Sequence, residues 1–230
     1  AELLADGAVE AALIPVIEYQ RIPGVSIVPD VCVGSTGNVR SVVLVTRLKN
    51  LKDIRSVSLD ESSRTSAALM KIIFLEFLGL EPKWVTAAPN VDLMLKDNDA
   101  ALIIGDPAMT FARDDLRIVD MARLWREYTG LGFVFAVWAV RNKDSARAAA
   151  IDFAAARDEG LEQIEEILSH YEREIPLARI ELKEYLTNDI TFHIDQPMEQ
   201  GMKLYFDLAY KHHLIPELKG LELLKNSSAV

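Results

Sequence analysis

The sequence predicts an α/β protein of two lobes around a cleft. Three observations predict it. Apolar β-like runs alternate with segments of helical period, the pattern of layered α/β folds. One helix–turn–strand pattern occurs twice, in "ELLADGAVEAALIP" (residues 2–15) and "DLMLKDNDAALIIGDP" (residues 92–107), which implies two similar lobes. The chain has 230 residues, 50% of them hydrophobic, enough for one large or two small domains.

The elements follow in order. Both copies of the repeat read as a short amphipathic helix, a turn at Gly7 or Asn98 tolerant of positive φ, and an apolar strand ended by Pro. "VSIVPDVCVG" is a strand, "STGN" a turn, and "VRSVVLVT" and "RSVSLD" are further strands. In "SAALMKIIFLEFLGL", Ala68, Ile72, Leu75 and Leu78 recur at helical spacing, and Gly79 is a C-cap candidate. "EPKWVTA" is a short strand and "FVFAVWAV" a buried one; residues 144–187 read as successive helices, "TNDITFHID" as a strand, and "PMEQGMKLYFDLAYKHHLI" as a helix. This alternation predicts mainly parallel pairing. The lobes are expected at residues 1–38 plus 143–230 and at 39–142, joined by crossings near 37–41 and 141–144. Ligands of such folds sit at strand C-termini beside helix N-termini, here between the lobes. The opening "AELLADG" reads as the middle of a helix, so residues ahead of Ala1 are expected.

Composition excludes some functions. A net charge of -10 without Lys/Arg runs argues against a nucleic-acid surface. No run reaches the ~18 apolar residues of a membrane span. Cys32 is the single cysteine, so no internal disulfide can form; it lies in an apolar run and reads as a buried, inert thiol. His170, His193, His212 and His213 lack metal-ligand spacing, so no metal site is expected. Trp125, Phe133, Phe135 and Trp138 read as core, with one ring lining a cleft as the alternative.

Chemistry concentrates in three stretches. "LDESSRTSAAL" (residues 59–69) joins a strand to a helix. Open amides and the dipole at that helix start favour an anion, Ser62, Ser63, Thr65 and Ser66 offer hydroxyls, and Arg64 could pair with a carboxylate. The plain alternative is one N-cap and a solvated loop. "GSTGNVRS" ends a strand at a predicted crossing; Ser35 and Thr36 could cap the turn or contact ligand, and Ser41 could face the cleft. "IIGDPA" sets Asp106 at a strand end, as a base or as a turn former.

These pieces resemble a known family. "LLADGAVEAALIPVIEY", "GSTGNVRSVVL", "LDESSRTSAALMKIIF", "DAALIIGDPAM", "LWREYTGLGFVFAVWA" and "YLTNDITFHI" are similar, in order and through nearly the whole chain, to the chorismate dehydratases of the futalosine route to menaquinone. The resemblance implies a periplasmic-binding-protein-like fold of type II with an interlobe cleft, cytoplasmic and catalytic, with no cofactor. It implies removal of water from the dicarboxylate chorismate to give 3-[(1-carboxyvinyl)oxy]benzoate. On that reading Ser35, Thr36 and residues 62–66 bind substrate, and Ser41 and Asp106 take part in catalysis. The sequence departs from the family twice. A "YLN"-like loop ahead of the first helix is absent, and Gly132 stands where the family favours Pro. The competing reading is a non-catalytic solute-binding protein of the same fold. A sister enzyme that cleaves cyclic dehypoxanthinyl futalosine would need a cleft His base, and a ligand-sensing domain would need a fused signalling segment.

Overall fold

The computed structural model describes residues 1–113 and 115–225. Eight strands run as β1 (Ala11–Pro15), β2 (Val25–Ser35), β3 (Val42–Thr46), β4 (Ser56–Asp60), β5 (Lys83–Ala87), β6 (Ala100–Ile104), β7 (Arg117–Asp120) and β8 (Phe133–Arg141). The helices are α1 (Glu2–Ala5), α2 (Val16–Arg21), α3 (Thr65–Ile72), α4 (Val91–Asp97), α5 (Asp106–Thr110), α6 (Met121–Thr129), α7 (Ser145–Ala148), α8 (Phe153–Glu162), α9 (Ile164–Tyr171), α10 (Arg179–Glu184) and α11 (Gln196–Lys211).

Two sheets form, one in the order β1-β8-β2 and one in the order β5-β4-β6-β3-β7. The two copies of the repeat fall in different sheets, α1–β1 in the first and α4–β6 in the second. Their surroundings differ. β6 is an inner strand, buried along nearly its whole length, as a strand covered on both faces must be. β1 is an edge strand with Leu13 exposed.

Pairing is not mainly parallel. Among the described strand pairs, β4–β5 and β4–β6 are parallel, whereas β1–β8, β2–β8, β3–β6 and β3–β7 are antiparallel. The reason is topological: β3 and β8 enter their sheets from the other sheet, and each runs against its neighbours. The first crossing spans residues 36–41, between β2 and β3. The return is not at 141–144. It runs through α6 and the 130–132 turn, because β8 pairs with β1 and β2 and belongs to the first sheet.

Local chemistry explains the element ends. Asp120 caps α6 and Asp195 caps α11, each carboxylate accepting first-turn amides. After α3 the helix continues as a π-helical stretch, Ile73–Leu78, and stops at Gly79 in the left-handed region. Gly7 has φ +76°, but Asn98 is extended at φ -133°, since α4 leads straight into β6 without a left-handed cap. "TNDITFHID" forms no strand. Tyr185–Asp189 close a π-helical turn, and only Thr191 bridges to Gly34 of β2.

The main core draws side chains from both sheets. Trp125, Phe133 and Tyr205 meet edge to face there, with ring centroids 5.1–6.4 Å apart. Trp125, Phe133 and Phe135 are therefore core residues, and Trp138 packs on Phe153 away from the crossings. α11 lies across this core, with Gly201 against the backbone of Gly132.

Candidate active site at the end of the five-stranded sheet

β4 and β6 run parallel and end side by side, and β3 starts beside the end of β6, with Val42 opposite Ile104. Ser41, Asp106 and residues 62–66 are thereby brought to one end of the sheet. Asp60, buried at the end of β4, holds this corner. Its Oδ1 accepts from Ser62 N at 2.9 Å and Ser62 Oγ at 2.6 Å, and its Oδ2 accepts from Ile104 N at 3.2 Å.

The start of α3 has the features of an anion site. α3 has no side-chain cap, so its first amides stay open. Ser63 is buried, and its Oγ has no hydrogen-bond partner among the described residues. A buried hydroxyl left without a partner costs about 1–3 kcal/mol, which a ligand oxygen can recover. Ser66 is buried at the second position of the helix. Thr65 faces the other lobe: its Oγ1 accepts from Ile17 N at 3.4 Å, and its carbonyl accepts from Tyr205 Oη at 2.9 Å.

Arg64 is not turned to a ligand carboxylate. Its guanidinium donates to Glu18 at 3.0 Å and Glu2 at 2.7 Å, bonds that hold it above its usual pKa. Glu18 is buried and also pairs with Arg21 at 2.7 Å. A buried carboxylate draws in cations, so Arg64 joins the start of α3 to α2.

Ser35 and Thr36 are also occupied locally. Ser35 Oγ donates to Asn38 O at 2.7 Å and accepts from Gly37 N at 3.1 Å, which closes the "STGN" turn. Thr36 is exposed, and its carbonyl accepts from Arg126.

Ser41 is the best-organised hydroxyl. It is buried, its N donates to Val39 O at 2.6 Å, and its carbonyl accepts from Gly105 N at 2.7 Å. Gly105 has φ +66° and ψ -150°, a conformation essentially restricted to glycine. Tyr185 Oη donates to Ser41 Oγ at 2.9 Å. Burial raises the pKa of this phenol; the Ser41 bond opposes the rise, and the charges of Asp106 and Asp189 add to it. Tyr185 and Asp189 lie in the family-like stretch "YLTNDITFHI", but no periodicity marks a π-helical turn or assigns them to the site. The half-buried Asp189 carboxyl is pushed up by desolvation, against the pull of Arg40 3.6 Å away. Asp106 is exposed at the start of α5.

Other candidates fall outside this corner. Cys32 is buried, its thiol pushed up to about 12 by burial, and it is inert. His170, His193 and His212 pair with Glu174, Asp30 and Glu76. Among the described residues no group of His, Cys, Asp and Glu is placed to hold a metal ion, and no helix is long and apolar enough to cross a membrane. An apolar cavity of about 370 Å³ lies beneath α8 and α9, but its one cation, Arg157, is held by Asp30 and Asp158.

Fold and site together define a two-lobed α/β protein of the type II periplasmic-binding-protein kind, with hydroxyls gathered at one sheet end. The chain belongs to the menaquinone biosynthesis family, whose model matches residues 1–211. It is 29% identical over 222 residues to the chorismate dehydratase of Thermus thermophilus, covering 88% of this chain and 80% of that protein. Among solved structures, the AF1704 protein of Archaeoglobus fulgidus superposes with a TM-score of 0.65 at 19% identity, over 93% of this chain and 84% of the other. The periplasmic aliphatic sulphonate-binding protein SsuA of Escherichia coli gives 0.64 at 12% identity, over 100% and 81%.

Proposed function

We propose that the protein is a chorismate dehydratase, a carbon–oxygen hydro-lyase of the futalosine route to menaquinone, working in the cytoplasm. It removes water from chorismate to give 3-[(1-carboxyvinyl)oxy]benzoate. The name of the Thermus thermophilus relative supports the substrate, and family membership supports the route. At the site, the observation that carries the reading is the buried Ser63 hydroxyl, without a partner among the described residues, at the uncapped start of α3 and at the same end of the sheet as Ser41.

Chorismate carries two carboxylates and a ring hydroxyl. One carboxylate takes the Ser63 hydroxyl and the open α3 amides. Ser41 donates to the hydroxyl that leaves. The ring C–H beside that hydroxyl gives up its proton, the C–O bond breaks, and the ring becomes aromatic, which supplies much of the driving force. The proton goes to Asp106 or to a carboxylate of the substrate and leaves with the hydroxide as water. No electrons pass to an outside acceptor, so no redox cofactor is needed. The protein's contribution is mainly to hold the substrate in the reactive geometry and exclude water.

Kinetics of two variants test the assignment. Ser63→Ala is expected to raise KM about tenfold, the loss of one hydrogen bond to a charged group. In Asp106→Asn, lost turnover with retained binding identifies Asp106 as the proton acceptor, and near-normal turnover assigns that step to the substrate carboxylate. Chorismate that binds but is recovered unchanged from the wild type contradicts the dehydratase reading and favours a binding protein.

A further inference from the structure

We propose that Tyr185 is a positioning residue for Ser41, turning the serine's own proton toward a substrate oxygen at the end of β6. The role rests on the dehydratase reading and adds to it a residue far from the sequence motif that holds Ser41.

A serine hydroxyl has one proton to give and two lone pairs. Tyr185 fills one lone pair of Ser41 Oγ from 2.9 Å. The Ser41 backbone is fixed on both sides, by Val39 O and by Gly105 N. The side-chain proton is thus the one donor of Ser41 with no partner among the described residues. The phenol is itself anchored. It opens the π-helical turn Tyr185–Asp189, Ile190 N bonds back to Tyr185 O, and Thr191 exchanges backbone bonds with Gly34 at 3.0 and 2.9 Å. The last strand residues of β2 therefore set where the phenol stands.

The pair donates hydrogen bonds without giving up the tyrosine proton. Forming a phenolate here is disfavoured by burial and by the neighbouring carboxylates Asp106 and Asp189. The chain from Tyr185 to Ser41 to substrate instead strengthens as the substrate oxygen gains charge, because linked hydrogen bonds polarise one another. Donors set before reaction toward developing charge act mainly on kcat.

The experiment is a double-mutant cycle on chorismate turnover, with Ser41→Ala, Tyr185→Phe and the pair. Tyr185→Phe removes one oxygen and keeps the ring that fills the site. It is expected to lower kcat about tenfold, with KM within about threefold and an unchanged pH profile. In the Ser41→Ala background the same change is expected to have no further effect, because the group it positions is gone. A structural role moves melting temperature and KM together and leaves the two losses multiplicative. Multiplicative losses, or a change in KM alone, overturn the assignment of Tyr185. A wild type that leaves chorismate unchanged overturns the dehydratase reading, and this role with it.

Discussion

Asp120 joins the two crossings between the sheets with one carboxylate. Its Oδ2 accepts from Val39 N and Arg40 N, both at 2.8 Å, in the first crossing. Its Oδ1 accepts from Ala122 N and Arg123 N, both at 3.0 Å, at the start of α6 in the second. Two substitutions separate these tasks. Asp120→Ser keeps a good N-cap but gives up the 39–40 amides; Asp120→Ala gives up both. Each hydrogen bond to a charged acceptor contributes about 1.5–3 kcal/mol, and partial solvent access sets the lower end, so Ser is expected to cost about 2–3 kcal/mol. The missing cap adds about 1 kcal/mol for Ala. For a chain of this size the Ser variant then melts about 5–10 °C lower. Urea unfolding with an unchanged slope reads the loss as stability. Ser41 follows the freed amides directly, so kcat is expected to fall as well. A Ser variant melting within about 1 °C of the wild type, or an Ala variant equal to Ser, refutes the reasoning.

Three further outcomes follow from the same structure. Arg64→Ala is expected to cost about 1–2 kcal/mol in chemical denaturation, because the buried Glu18 keeps Arg21 as a partner. Its KM should change less than about threefold, and a tenfold rise would restore Arg64 as a substrate anchor. Gly201→Ala is expected to destabilise by about 1–3 kcal/mol, since its methyl would meet the Gly132 carbonyl oxygen, which is backbone and cannot turn aside. A melting temperature at the wild-type value would show that α11 can shift. Asp189→Asn is expected to stabilise at neutral pH. The folded protein raises the Asp189 pKa, mainly by burial, so it prefers the protonated form. The wild type gains stability as pH falls through the folded pKa, and its gap to the Asn variant should close below about pH 4, the ordinary aspartate range. A gap that stays constant down to pH 3 would mean that the effect is not titration.

The sequence carried the elements better than their arrangement. Period and capping residues announced α3, α11 and the strands, and the repeated helix–strand pattern announced two sheets. The pairing direction was hidden because β3 and β8 take their direction from where they arrive, which no local pattern encodes. β8 illustrates this: its apolar run reads as a buried strand in either lobe. At the site, Ser62, Ser63, Thr65 and Ser66 were visible as hydroxyls at a strand–helix junction, and Ser41 as one at the start of a strand after a crossing. What they face was not visible. Arg64 turns to Glu18 and Glu2, which lie 46 and 62 residues away in sequence, and Ser35 turns into its own turn. Tyr185 lies 144 residues from Ser41 in an irregular turn, and only the three-dimensional structure joins them.

Incubation of the protein with chorismate, followed by chromatography and proton NMR of the products, tests the central claim most directly. The account predicts loss of chorismate with stoichiometric appearance of 3-[(1-carboxyvinyl)oxy]benzoate, its aromatic resonances replacing those of the cyclohexadiene ring. Recovery of unchanged chorismate, or its conversion to a product that keeps the ring hydroxyl, would contradict it.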